Sequence, residues 1–478
     1  MKDFLERGID ILRTERVRYG DIRVVETEVE SIKVRNGIVE GITHSYDSGF
    51  GVRVLKDKGW GFSSSARLAK REQDRVVREA LGIARASSSA NSEGVHLSYL
   101  NPQIGFYETE VKRDPFKISV EEKISLLLEL DKILRAHPDI KVSQCFLTFF
   151  KTRKYFASTE GSYTDQKIIE SGGGITCFAI KGNEVQCRSY PCAFGNFAQK
   201  GYEFIEEMGL LQNAEKTREE ALMLLSARPC PDMETTVVLD SNQMALQVHE
   251  SCGHPSELDR VLGTEESYAG GSFLTLEKLR RYRYGSPIVN INADATLKGG
   301  LGTFGFDDEG VPAQKFFIVK EGIFSNYLTS RQTASIIKSR SNGTMRADGW
   351  ARIPLIRMTN INLLPQDKSF EELISEVKDG IYMETNKSWS IDNKRLNFQF
   401  GTEIAWRIRN GKLREVYKNP IYTGITPLFW GNCDGIGNRQ TLWGLPNCGK
   451  GEPGQSAHVG HATPPARFKK VRVGGAKA

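Results

Sequence analysis

The segment Arg228-Pro229-Cys230-Pro231-Asp232, followed by Thr235-Thr236-Val237-Val238-Leu239, divides this chain. Residues from about Ala214 to Ala227 read as a long helix, and two prolines stop it. The β-branched run after them reads as a short buried strand, and Asp240 or Ser241 is placed to cap a new helix. The expected organisation is therefore α+β in two domains, 1–228 and 229–478. Antiparallel sheet and helices make up the first, and the second is larger and rich in strands.

Upstream, Ile22 to Val34 alternates apolar and polar side chains, Asn36-Gly37 supplies a hairpin turn, and Ile38 to Ile42 returns. A second hairpin runs from Val52 to Leu55, turns at Lys56-Asp57-Lys58-Gly59 and returns through Trp60 and Phe62. Helix is expected from about Ala66 to Ala86. Another starts at Ser119, which forms a capping-box pattern with Glu122. Strands resume from Lys141 to Ser189, with expected breaks at Glu160-Gly161 and at Gly172-Gly173-Gly174. The basic tail from Arg467 to Val473 alternates as a half-exposed strand does.

The chain has 478 residues, 39% hydrophobic and 26% charged, as expected of a globular protein large enough for two cores. No run approaches the roughly 18 apolar residues of a membrane span. The N-terminus carries Asp3 and Glu6 where a secretory signal needs an apolar stretch, so a cytoplasmic location is expected. Lys and Arg number 65 against 59 Asp and Glu, with no dense basic stripe interleaved with aromatics, which argues against a nucleic-acid partner. Eight cysteines are too dilute for a disulfide scaffold, and Cys187 and Cys192 have no second pair nearby to make a zinc knuckle.

The new helix leads into His249-Glu250-Ser251-Cys252-Gly253-His254. Zinc hydrolysis chemistry needs neutral imidazoles as ligands and a carboxylate beside the open position to take a proton from water. With seven histidines, a chance match of this kind is expected on the order of 0.01 times per chain. The spacing is unusual. In a regular helix, residues five apart point roughly 140° from each other. A π-type turn restores a shared face, Gly253 eases the distortion, and Pro255 discourages ordinary helix at His254. On spacing alone, a histidine pair without metal is an equal alternative.

Further motifs follow in order. They are Asp307-Asp308-Glu309-Gly310, Arg357-Met358-Thr359-Asn360, Asn447-Cys448-Gly449-Lys450 with Gly454-Gln455, and Val473-Gly474-Gly475. Together with the HExxxH element and the opening strands, they resemble the TldD/PmbA family of metallopeptidases, in its catalytic TldD branch. The likeness covers nearly the whole chain. One departure is the Gly451-Glu452-Pro453 spacer before Gly454, which is longer than expected in some relatives.

The resemblance implies one Zn²⁺ per catalytic chain, held by His249, His254 and Cys448, with Glu250 as general base. It implies peptides or unfolded segments as substrates, held as an added β-strand. The implied assembly is a homodimer, or a heterodimer with a non-catalytic paralogue, and the first domain shapes the chamber. The alternatives are a zinc hydrolase acting on something other than peptides, and a regulatory peptide-binding subunit with a structural zinc site.

Other signals are weaker. Gly300, Gly302 and Gly305 satisfy GxGxxG, but no helix starts there, so a glycine-rich bend is expected. Asp307, Asp308 and Glu309 could bind a cation, but a solvated turn is the default expectation. Glu257 and Asp259 could orient His254, though capping or solvent roles serve equally well. His458 and His461 are rival ligands to Cys448, at places where the family pattern has no histidine. Cys252 should point away from the metal, and Cys433 sits in a turn-like, structural setting.

Overall fold

The computed structural model describes residues 1–91, 93–268 and 270–475. Helix α1 (Lys2–Thr14) precedes a three-strand meander, β1 (Tyr19–Arg35), β2 (Ile38–Lys56) and β3 (Gly59–Ser65). Asn36 and Gly37 turn the first hairpin with φ of 51° and 79°, the left-handed backbone that Asn-Gly tolerates. The two expected hairpins are one feature, because β2 runs unbroken for 19 residues and pairs with β1 along its length and with β3 at its end. Then come α2 (Lys70–Ala90), β4 (Ile104–Glu108) and α3 (Val120–Leu134), whose cap Ser119 accepts from the Glu122 N–H. Strands β5 (Ile140–Ser158), β6 (Tyr163–Lys181), β7 (Glu184–Tyr190) and β8 (Asn196–Ala198) complete an eight-stranded sheet, followed by α4 (Leu210–Ser226).

One face of this sheet holds two cores. Ile22 and Val24 pack with Val76 and Ala80 of α2, while Ile32 and Val34, on the same face of β1, pack with Leu127 and Leu130 of α3. The opposite face, including Val25, Thr27 and Val29, looks onto residues from the second half of the chain across a cavity of about 360 Å³.

The expected break at Gly172-Gly173-Gly174 does not occur. β6 passes straight through it, and the glycines instead let β8 approach. A Cβ on Gly172 would lie 2.1 Å from Phe197, and one on Gly174 2.7 Å from the Cα of Gly195.

Strand β9 (Met233–Leu239) leads into α5 (Ser241–Val248). Later come β10 (Asp379–Ile391), β11 (Asn397–Arg409), β12 (Lys412–Lys418), β13 (Pro420–Ile425), β14 (Cys433–Ile436), the hairpin β15 (Thr441–Lys450) and β16 (Gln455–Thr463), and β17 (Ala466–Gly475). Strands β10, β9, β17, β13 and β11 pair in that order and β11 pairs back to β10, so the sheet closes on itself around the largest core. The basic tail is thus an interior strand. Arg467 is buried against Asp434 and Glu376, while Lys469, Lys470 and Arg472 face solvent. No helix among the described residues is long and apolar enough to cross a membrane.

The DDEG segment is not a solvated turn, for Asp307, Asp308 and Glu309 are each 2% exposed. Asp307 accepts the N–H groups of Glu309, Val311 and Met345. Asp308 pairs with Lys154 of β5 at 3.2 Å, and Glu309 with Arg53 of β2 at 3.3 Å. Asp308 and Glu309 therefore fasten the second half of the chain to the first sheet, and Asp307 holds the turn that carries them.

A second junction is built on Arg188 of β7, which holds Glu220 of α4, Glu384 of β10 and Glu403 of β11 at 2.7, 2.8 and 2.9 Å. Removing one partner of a buried ion pair strands the others in a poor solvent for charge. Arg188→Met, which leaves three carboxylates together, is expected to lower unfolding stability by about 3–5 kcal/mol in a urea titration. An unchanged midpoint would show the junction to be dispensable.

Candidate metal centre

Asp240 caps α5, accepting from the N–H of Gln243 at 2.8 Å and of Asn242 at 3.3 Å. Met244 and Val248 pack into the main core. Gln243 and Gln247 both bond the Tyr422 hydroxyl on β13, so this helix is held on its polar as well as its apolar side.

At His249 the helix widens. Residues His249–Gly253 form a single π turn, closed by the His254 N–H donating to the His249 carbonyl. A π turn frees backbone groups that need partners. The Ser251 carbonyl finds one in the Tyr284 hydroxyl at 2.8 Å. Gly253 allows Met358 to pack where a Cβ would stand 2.0 Å from its sulfur. The extra residue brings the two imidazoles together, with ring centroids 4.9 Å apart.

Cys448 arrives on β15, and its Sγ lies 3.5 Å from His249 Nε2 and 3.7 Å from His254 Nε2. The three donor atoms all fall within 4.8 Å of one another. Tetrahedral zinc with its usual bond lengths would hold a nitrogen and a sulfur about 3.6 Å apart. Arg357 fixes this hairpin by donating to the Cys448 carbonyl on β15 and to the Gln455 carbonyl on β16 at 2.9 Å. Asn360 ties the same region to the glycine bend, accepting from the Gly302 N–H at 2.9 Å.

Proton positions follow from the supporting hydrogen bonds. His461 Nδ1 lies 2.9 Å from the Ile361 carbonyl, which can only accept, so that nitrogen carries the proton. Burial and the neighbouring His249 hold the His461 pKa down to about 3, so the ring is neutral and its Nε2 accepts. The donor to that Nε2 is His249 Nδ1, at 2.9 Å, which leaves His249 Nε2 a bare lone pair. In the same way His254 Nδ1 donates to Glu257 at 3.1 Å, and His254 Nε2 is bare. Burial would raise the Glu257 carboxyl, but Lys450 and His254 outweigh it and hold it below its ordinary range.

Burial also pushes both ligand-side histidines below their usual pKa. For the Cys448 thiol, burial is outweighed by His254 and Arg357 and the pKa is lowered. Neutral imidazole and thiolate are the forms that bind zinc. Two bare nitrogens and a sulfur that converge on one point suit a soft-to-borderline cation, and the residues present fit zinc.

Glu257 and Asp259 are buried participants, not caps or solvated groups. Glu257 orients His254, and Asp259 holds Lys450 Nζ at 2.7 and 2.8 Å. His461 supports His249 through its ring, while His458 pairs with Glu170 at 2.6 Å. Cys252 points into the main core, its thiol pushed up to about 12 by burial, and Cys433 is also core. Glu250 lines a cavity of about 300 Å³ together with His249, His254 and Cys448, and pairs with Arg395. No motif singled out Arg395, which lies in the turn between β10 and β11.

Supporting hydrogen bonds of this kind are worth about 10–100-fold in metal affinity. His461→Phe, which keeps an aromatic ring but accepts nothing from His249, is expected to weaken zinc binding by that factor in a chelator competition. Unchanged affinity would mean that His249 needs no such anchor.

The fold and the cluster together define an α+β protein with a candidate three-donor metal centre. Family profiles match along the chain as the PmbA/TldA metallopeptidase domain 1 at residues 20–84, its central domain at 113–225 and its C-terminal domain at 232–475. The chain belongs to the PmbA/TldD metallopeptidase family. It is 31% identical to a metalloprotease of Methanocaldococcus jannaschii, over 85% of this chain and 86% of that protein. It is 25% identical to a protein of Saccharolobus solfataricus named a zinc metalloprotease TldD homolog, over 95% of each. The crystal structure of TldE from Thermococcus kodakarensis shares the fold, with a TM-score of 0.76 at 14% identity over 99% of this chain and 100% of that one.

Proposed function

We propose that this protein is a zinc-dependent peptidase that hydrolyses peptide bonds in small or unfolded peptides. His249, His254 and Cys448 hold the metal, and Glu250 is the general base. The observation that carries the reading is the convergence of two imidazole nitrogens and a thiol sulfur on one point beside an open cavity. Zinc there would lower the pKa of a water to about 7 and polarise a substrate carbonyl. Glu250, adjacent to His249 and lining the same cavity, takes the proton from that water and returns it to the leaving amine. The Lys450, Asp259 and Glu257 cluster keeps His254 aimed.

A structural zinc site in a non-catalytic peptide-binding subunit would be closed by a fourth protein ligand. The cluster has three donors, and the cavity opens onto them, which supports catalysis. The relatives named metalloproteases favour the same side. We also read the assembly as a dimer, a second copy or a non-catalytic paralogue completing the chamber, in the cytoplasm.

The test is metal analysis of the purified protein, with digestion of a denatured protein followed by mass spectrometry. About one zinc per chain and cleavage that stops on chelation and returns with zinc are expected. A protein that binds zinc but cleaves no peptide would overturn the peptidase reading and leave the binding subunit and the non-peptide hydrolase.

A further inference from the structure

Arg395 is the one Lys or Arg side chain lining the metal cavity among the described residues. Its backbone is tightly held. The Asp392 carboxylate accepts the N–H groups of Leu396 at 2.8 Å and Asn397 at 3.0 Å, and the Arg395 N–H donates to the Asp392 carbonyl at 2.8 Å. The Arg395 carbonyl accepts from the Thr426 hydroxyl at 3.0 Å. Its φ is 61°, a left-handed conformation that a non-glycine residue keeps only when its surroundings insist on it. A rigid turn thus delivers this guanidinium to the cavity, where Nη1 donates to Glu250 Oε2.

A guanidinium has five N–H donors in a planar fork. Glu250 engages Nη1, and the Arg395 Nε is buried with no hydrogen-bond partner among the described residues. Because the fork holds Glu250 in the cavity that the three donor atoms also line, a peptide carbonyl attacked there would lie beside its remaining donors. That is where charge builds up when a peptide carbonyl is attacked.

We propose that Arg395 is a catalytic residue, donating a hydrogen bond to the scissile carbonyl oxygen as that oxygen becomes negative, while keeping Glu250 aimed at the water. The inference rests on the peptidase reading. Water oxygen bonds to the carbonyl carbon, its proton passes to Glu250, and the C=O π pair moves onto the carbonyl oxygen beside Arg395. The C–N bond then breaks, the carbonyl re-forms, and Glu250 hands its proton to the leaving nitrogen. Arg395 stays protonated throughout.

The experiment compares wild type with Arg395→Met and Arg395→Lys, checked for unchanged melting temperature and zinc content. Steady-state kinetics on one cleaved peptide are measured, with calorimetric binding of a phosphinic pseudopeptide, which carries a tetrahedral anion, to zinc-loaded and metal-free protein. Arg395→Met is expected to lower kcat by about 10²–10³-fold with little change in KM. Phosphinate affinity should fall in both metal states, and Arg395→Lys should recover part of each loss. An effect confined to KM, abolished by amidating the peptide's C-terminus, would instead make Arg395 an anchor for the terminal carboxylate. A fall in kcat with unchanged phosphinate affinity would reduce it to a positioning residue for Glu250. Either result, or unchanged activity in Arg395→Met, overturns this inference alone. A zinc-loaded wild type that cleaves nothing overturns the peptidase reading and the inference with it.

Discussion

Glu250→Gln is expected to keep zinc and fold but to lose peptide cleavage by about 10²–10⁴-fold, the usual contribution of a general base. The substitution is nearly isosteric, and the amide oxygen can still accept from Arg395, so the contact made by Glu250 Oε2 has a replacement. What the amide lacks is any capacity to hold the proton taken from water. Glu250 is not among the three convergent donors, so metal content should be untouched. Zinc content, melting temperature and single-turnover cleavage of one peptide decide the matter. Cleavage within a few-fold of wild type would remove Glu250 from the mechanism. Zinc lost together with activity would make it a ligand instead.

Cys448→Ser is expected to weaken zinc binding well beyond the roughly 10–100-fold that a supporting hydrogen bond contributes. A serine hydroxyl stays protonated at neutral pH and is a poor substitute for thiolate at a zinc site. The backbone consequence is small, because the group that Arg357 grips is the Cys448 carbonyl, not its side chain. Cys433→Ser is the matched control. Both thiols are 3% exposed and belong to the same core, so they carry comparable burial costs. Only Cys448 faces the two imidazoles. Equal zinc affinity in the two variants, measured by chelator competition, would exclude Cys448 as a ligand.

Much of the fold was legible because its signals are local. The alternation from Ile22 to Val34 and the Asn36-Gly37 turn specify the first hairpin within some twenty residues, and the observed pairing of β1 with β2 agrees. The helix start at Asp240 or Ser241 was legible because capping involves only the next two or three N–H groups, and the structure gives the cap to Asp240. The widened turn at His249–Gly253 was legible because regular helix geometry cannot bring residues five apart to one side. Three glycines in β6 were misread as a break, since glycine's lack of a side chain serves a turn and a close approach equally well. Which of the two applies depends on Phe197 and Gly195, brought in by a later loop.

By itself the sequence determined the α+β class, the capped helix entering the HExxxH element and the family likeness. These depend on periodicity, on hydrogen bonds spanning a few residues, and on ordered motifs. The tertiary structure alone decided environment and partnership. Asp308 and Glu309 looked like solvent-facing acids until Lys154 and Arg53, on distant strands, paired with them. His461 could have been a ligand on spacing, but β16 places its ring behind His249, where it can only accept from the other nitrogen. Arg395 carried no signal at all. Its pairing with Glu250 in the cavity is set by the tertiary fold, and Coulomb attraction and desolvation act through space, whatever the separation along the chain.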